Sequence, residues 1–214
     1  MPTPREVEIK FSIADVKSLE QQLARLGFRR LTPSTHEMNT LYDLPGQKLR
    51  RKGELLRLRK YGDAWILTYK ARASVGRHKS RIERETEVAD GRVMDGILCA
   101  LGYQPIFVYE KFRSEWTDGK GHVVLDRTPL GDVGEIEGPS RWIDRTARAL
   151  GVTPDDYITK SYAELFFEWK RKYKWKAKNM TFRECRSGSA KSAISTLKNS
   201  AEAEAGSGVR PRRA

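Results

Sequence analysis

The 214-residue chain is 38% hydrophobic and 32% charged, which supplies one domain with its own core and excludes wholesale disorder. No run of about 18 apolar residues is present to cross a bilayer as a helix, and residues 1–10 carry charge where a signal peptide would be apolar, so a cytoplasmic location is expected. The net charge of +13 is uneven: from Lys170 onward 13 basic residues face 3 acidic ones, which leaves 28 basic against 25 acidic in residues 1–169, so a nearly neutral domain at 1–169 and a basic extension at 170–214 are expected.

Taken in chain order, residues 6–11 alternate charged and apolar, the period of a strand with one apolar face. Residues 14–26 then place Val16, Leu19, Leu23 and Leu26 at helical spacing, with Asp15 near the start and Gly27 where a left-handed C-terminal cap belongs. Alternation predicts seven further strands, at 36–43, 55–59, 65–70, 81–88, 107–116, 122–127 and 133–137. Turn signals at Gly62-Asp63, Asp118-Gly119 and Gly131-Asp132 make neighbouring strands antiparallel. Helical patterns at 93–101 and 142–150 end as the first does, on a Leu-Gly pair. A last helix at 161–175 sets Tyr162, Leu165, Phe166 and Trp169 on one side before the run Lys170-Arg171-Lys172, and beyond Asn179 disorder is expected.

Residues two apart on a strand share a face, and here the polar faces carry charge almost throughout. Glu6, Glu8 and Lys10 share one; so do Arg57 and Arg59; Arg81, Glu83, Glu85 and Glu87; Lys111 and Arg113; and Glu135 and Glu137. Lys70 and Asp126 are single charges on similar strands. A lone Glu-x-Glu is an ordinary solvated face, but eight antiparallel strands tend to close. If Val7, Ile9, Phe11, Leu56, Leu58, Phe112, Val123, Leu125 and Ile136 receive the amphipathic helices outside, the charges line the inside. The expected fold is therefore α+β, a closed eight-stranded antiparallel barrel with a charged lumen. Eight basic groups, including Lys160 from the last helix, would oppose eight carboxylates there. A charged interior is costly without ligands, and a triphosphate accompanied by two divalent cations leaves the balance intact, with guanidinium forks on phosphate and carboxylates on Mg²⁺ or Mn²⁺. No Gly-x-x-x-x-Gly-Lys loop or Gly-x-Gly-x-x-Gly turn offers another phosphate site. Cys99 and Cys185 are too few for a disulfide framework or a four-cysteine zinc site, and the scatter of His36, His78 and His122 argues against an imidazole centre.

The opening Glu6-x-Glu8-x-Lys10 resembles the signature of the CYTH superfamily, the triphosphate tunnel metalloenzymes, which includes class IV adenylyl cyclases, thiamine triphosphatases and inorganic triphosphatases. The resemblance continues through Leu41-Tyr42-Asp43-x-Pro45, Leu56-Arg57-x-Arg59, Leu67-Thr68-Tyr69-Lys70, Ser80-Arg81-x-Glu83-x-Glu85, Lys111-x-Arg113, Leu125-Asp126, Gly134-Glu135-Ile136-Glu137-Gly138 and Lys160-Ser161-Tyr162-x-Glu164-Leu165, over roughly residues 5–168. It is nearest to the class IV cyclase branch. One departure is His36-Glu37-Met38-Asn39-Thr40, where that branch often has Gln-x-Asp-x-Tyr.

The resemblance implies that Glu6, Glu8, Glu135 and Glu137 hold the cations, Mg²⁺ or Mn²⁺. It implies that Lys10, Arg57, Arg59, Lys70, Lys111, Arg113 and Lys160 cradle the triphosphate. Glu83, Glu85, Glu87 and Asp126 are candidates for a second metal, for water positioning or for holding the bases, and Tyr42 and Tyr162 for the tunnel mouth. Such a cradle supports cyclisation of ATP to cyclic AMP and pyrophosphate, hydrolysis of an inorganic, nucleoside or thiamine triphosphate, or binding of a polyphosphate without turnover. The basic stretch 170–178, with Tyr173 and Trp175, could touch nucleic acid or an anionic surface. A homodimer is also compatible with the sequence.

Overall fold

The computed structural model describes residues 5–185. Each expected strand forms: β1 (Arg5–Ser12), β2 (Arg29–Asp43), β3 (Leu55–Tyr61), β4 (Ala64–Lys70), β6 (Lys79–Val88), β7 (Gln104–Thr117), β8 (His122–Thr128) and β9 (Gly131–Glu137), with a short β5 (Ser74–Val75) on β6. They run in the order β1-β9-β8-β7-β2-β3-β4-β6, and β6 pairs back onto β1, closing an eight-stranded antiparallel barrel. β2 begins well before residue 36 because its first seven residues also pair with β7, across register shifts that absorb the Thr32-Pro33-Ser34-Thr35 stretch.

The helices are α1 (Val16–Arg25), α2 (Lys48–Lys52), α3 (Gly91–Ala100), α4 (Ser140–Ala149), α5 (Tyr162–Lys172) and α6 (Phe182–Cys185). Asp15 caps α1 by accepting from the Lys17 amide at 2.9 Å, and Asp90 caps α3 in the same way. The repeated Leu-Gly endings of α1, α3 and α4 place Gly27, Gly102 and Gly151 at φ of 83°, 90° and 76°, left-handed positions that a side chain would strain.

Alternation decides where these helices go. Ile9 and Phe11 of β1, Val123 and Leu125 of β8 and Ile136 of β9 point outward and pack with Leu19 and Leu23 of α1 and Trp142, Ile143 and Ala147 of α4. Gly134 lets Phe11 lie on β9, since a Cβ there would stand 2.1 Å from the ring. On the other side α3 sets Leu98 against Tyr42 and Leu58. α5 does something different: its Tyr162, Phe166 and Trp169 pack on Leu41, Phe107, Tyr109 and Val133. Those four share strand faces with the lumen residues, so α5 lies across one end of the barrel and plugs it. Phe107 and Phe166 meet there with ring centroids 5.3 Å apart.

The expected onset of disorder after Asn179 is too early. β8 pairs with β7 only from Phe112 onward, leaving backbone groups of Val108 and Glu110 open on that edge. Met180, fully buried, satisfies them: its amide donates to the Val108 carbonyl at 3.0 Å and its carbonyl accepts from the Glu110 amide at 3.1 Å. Phe112, expected beneath a helix of the barrel wall, instead meets Phe182 of α6 at 5.5 Å. The remainder of the expected disordered extension, 186–214, lies outside the described residues.

Candidate active site

The barrel encloses a cavity of about 420 Å³ lined by Arg5, Glu6, Glu8, Lys10, Arg57, Arg59, Lys70, Lys79, Arg81, Glu83, Glu85, Lys111, Arg113, Glu135 and Glu137, with Leu41, Leu55, Tyr109, Ser161, Tyr162 and Ala163 at its uncharged side. The period-two faces of β1, β3, β4, β6, β7 and β9 bring these charges together, as the alternation requires. Nine bases against six acids leave the lining positive among the described residues, the sign that suits an anionic ligand.

The walls differ in how their charges are paired. On β7, the Arg113 guanidinium donates to both Asp126 oxygens at 2.8 and 2.6 Å and to Glu135 at 2.6 Å. The Lys111 ammonium donates to Asp126 at 2.8 Å and sits 4.7 Å from the centre of the Tyr162 ring, whose hydroxyl also donates to Asp126 at 2.6 Å. Asp126 is fully buried behind these bases rather than at the cavity surface. Glu37, also fully buried, lies 3.5 Å from Lys111 and 3.7 Å from both Arg59 and Arg113. Burial would push its carboxyl up, but Lys111, Arg113, Arg59 and Arg57 outweigh that and hold it below the usual carboxylate range. Arg57 and Arg59 reach Glu85 at 3.1 and 3.4 Å, yet their buried Nε atoms have no hydrogen-bond partner.

On the opposite wall, Lys70 lies 2.8 Å from both Glu6 and Glu83, and Arg81 lies 3.1 Å from Glu6. Burial of Glu6 is overcome by Lys70, a hydrogen bond with Glu83 and Arg81, which keep it well below the ordinary range. Burial of Glu83, only partly offset by Lys70, and its bond to Glu6 push it up to about 8. Glu137 rises to about 7 through burial and then the neighbouring Glu6, Glu135 and Glu8. Lys10 donates to Glu8 at 2.8 Å, but the other Glu8 oxygen, Oε1, is buried without a hydrogen bond, 3.8 Å from the Lys79 ammonium.

This cluster of mutually repelling carboxylates, with one buried oxygen unpartnered, fits a hard divalent cation by donor chemistry. Among the described residues, no three acidic, imidazole or thiol groups already surround a common point.

Three expected site residues stand apart from the cavity. Glu87 is exposed on the last part of β6. Lys160 is exposed and pairs with Glu168 at 2.8 Å, because it precedes α5 on the outer side of the plug. Tyr42 points outward on β2 and donates to Asp95 of α3. Sequence reasoning missed Glu37, Lys79, Arg5 and Tyr109. Lys79 is one step of two before Arg81, and Glu37 shares a face with Asn39 and Leu41; extending the alternation finds both. Tyr109 lies on the face of Lys111 and Arg113 and is found in the same way; nothing local marks Arg5.

A closed antiparallel barrel with opposed carboxylates and guanidinium groups around one charged cavity defines the class of fold and site. A family model for the CYTH domain matches residues 4–162. The chain belongs to the CYTH family. A Methanocaldococcus jannaschii protein named "putative adenylate cyclase" is 26% identical over 171 residues, covering 75% of this chain and 97% of that protein. A Vibrio parahaemolyticus structure described in the same words superposes with a TM-score of 0.69 at 19% identity, covering 76% of this chain and 97% of the other. A Hippeastrum protein, described as a putative adenylyl cyclase with a dominant triphosphatase activity, superposes at 0.56 with 17% identity, covering 76% and 95%. Both structures are below 25% identity and so speak for the fold.

Proposed function

We propose that this protein is a divalent-metal-dependent enzyme that takes a triphosphate into the tunnel, and that its reaction is the class IV type cyclisation of ATP to cyclic AMP and pyrophosphate. The observation that carries the reading is the facing of two unlike walls across one cavity: Arg57, Arg59, Lys111 and Arg113 on one side, the carboxylates of β1, β6 and β9 on the other. Mg²⁺ or Mn²⁺ held by Glu6, Glu8, Glu135 and Glu137 would neutralise phosphate charge and lower the barrier to attack.

The chain's own part follows from its geometry. The forks of Arg57 and Arg59, with open Nε donors, hold phosphate oxygens, and Lys111 and Arg113 are kept in place by Asp126 and Glu37. The ribose 3′ oxygen forms a bond to the α-phosphorus as the bond to the bridging oxygen of the β-phosphate breaks. Glu83 lies beside Glu6 and Lys70 and, once deprotonated, would take the hydroxyl proton at its carboxylate. α5 bars water from one end. The uncharged side of the cavity at Leu41, Leu55 and Ala163 supports an organic group on the triphosphate over inorganic triphosphate, and the M. jannaschii relative supports the cyclase.

The second reading is a triphosphatase, in which water attacks the terminal phosphorus in the same cradle; the dominant triphosphatase activity described for the Hippeastrum protein favours it. Incubation of purified protein with Mg²⁺ or Mn²⁺ and either ATP or inorganic triphosphate, followed by product separation, decides between them. Cyclic AMP with equimolar pyrophosphate is the expected result. Orthophosphate without cyclic product would replace it with the triphosphatase, and binding without turnover would leave a binding module.

A further inference from the structure

The tunnel accounts for the charges inside the barrel but not for those gathered outside the α5 plug. Two basic runs far apart in sequence meet there. α2 carries Lys48, Arg50, Arg51 and Lys52, all exposed, while its nearest upstream acid, Asp43, is buried and turned inward to accept from the Leu49 and Arg50 amides at 2.8 and 3.0 Å. The end of α5 and the segment after it carry Arg171, Lys174, Lys176 and Lys178, also exposed. The Arg50 guanidinium lies 5.5 Å from the centre of the Phe167 ring on α5, which joins the two runs into one surface.

Among the described residues, no ion pair links α2 or these four later bases to a carboxylate, and the one acid on the adjoining turn of α5, Glu168, is taken by Lys160 at 2.8 Å. Beneath the later run is an aromatic step: Trp169 meets Tyr173 at 5.8 Å and Trp175 at 4.8 Å, and Tyr173 is 45% exposed.

We infer that this face, formed by α2, the end of α5 and the segment 173–178 after it, binds single-stranded nucleic acid. Unpaired arginines and lysines along two elements follow a phosphate backbone, and an exposed tyrosine seated on tryptophan offers a base a stacking surface. A bilayer partner fits less well. Membrane-binding basic helices add exposed aliphatic or aromatic side chains to insert, and here the two runs expose no large hydrophobic side chain except Tyr173. The site is independent of the triphosphate reading, because none of these bases lines the cavity.

The test is fluorescence anisotropy of a labelled 20-nucleotide oligo(U) against the full chain at several salt concentrations, with Arg50→Gln/Arg51→Gln and Arg171→Gln/Lys176→Gln variants. Each pair is expected to weaken binding about tenfold and to reduce the slope of log affinity on log salt by about 1.4. Tyr173→Ala should weaken binding without changing that slope. Turnover or triphosphate binding in the tunnel should stay at the parent level in all three, which also reports that they fold. Absence of oligo(U) binding would overturn the inference. So would binding unchanged in both charge variants, or chain that sediments with phosphatidylserine vesicles while leaving oligo(U) free.

Discussion

The barrel divides into two runs of four adjacent strands that handle charge in opposite ways. β4, β6, β1 and β9 supply all six carboxylates that line the cavity among the described residues, while the charges that β8, β7, β2 and β3 turn to the cavity are all basic. The second half also has acids, Glu37 and Asp126, but both are fully buried behind the bases they hold. A carboxylate with no access to water must be paired, so those two serve as scaffolding for a phosphate clamp. Acids that keep access to the cavity, such as Glu8 with its open oxygen and Glu137 with its raised pKa, remain available to a cation. The same residue type thus has two uses, set by depth.

The acidic half carries its largest expected effect at Glu6 and Glu8. Converting both to Gln should reduce metal-dependent turnover by more than about 100-fold, since even outer-shell changes at metal sites cost 10–100-fold. Turnover surviving in steady-state assays with Mg²⁺ and Mn²⁺ would remove the acidic half from the site. Next is stability. Asp126→Asn removes the shortest counter-ion that Arg113 and Lys111 share, leaving them Glu37 at 3.7 and 3.5 Å, and should cost about 3 kcal/mol in urea unfolding. Glu137→Gln removes a repelled charge and should cost nothing or stabilise the metal-free chain; equal losses in the two variants would erase the distinction.

A smaller effect concerns pH. Glu137 and Glu83, raised to about 7 and 8, keep protons in the folded metal-free chain that the unfolded chain gives up at ordinary carboxylate pH. Folding then binds more protons than unfolding between those values, so stability falls as pH rises from about 5 to 8. Glu6, shifted the other way, contributes stability that is already complete above the ordinary carboxylate pKa and does not vary in that window. A cation prefers the deprotonated carboxylates, so the thermal shift on adding Mg²⁺ should grow between pH 6 and 8.5; a shift that shrinks would place the cation elsewhere. Smallest of all, Glu87→Gln, exposed beyond the cavity, should change turnover by less than about twofold.

Strand alternation by itself determined the eight strands, the inward turn of Glu6, Glu8, Lys10, Arg57, Arg59, Lys111, Arg113, Glu135 and Glu137, and the outward apolar faces, because a period of two leaves each side chain one of two directions. Capping chemistry likewise marked the ends of α1, α3 and α4. Depth was decided only by the tertiary structure. Alternation turns Asp126 and Glu135 to the same side of neighbouring strands, yet neighbouring strands and Tyr162 bury one behind the bases and leave the other at the cavity. The register of β2 against β7 placed Glu37 among four bases, and the open edge of β7 drew Met180 and the chain after it into the fold. Lys160 resembles a cradle residue in its motif, but the path into α5 turns it toward Glu168. Local period fixes the face of a strand; closure of the barrel and the docking of α5 fix which charges share a cavity, because those distances depend on segments remote in the chain.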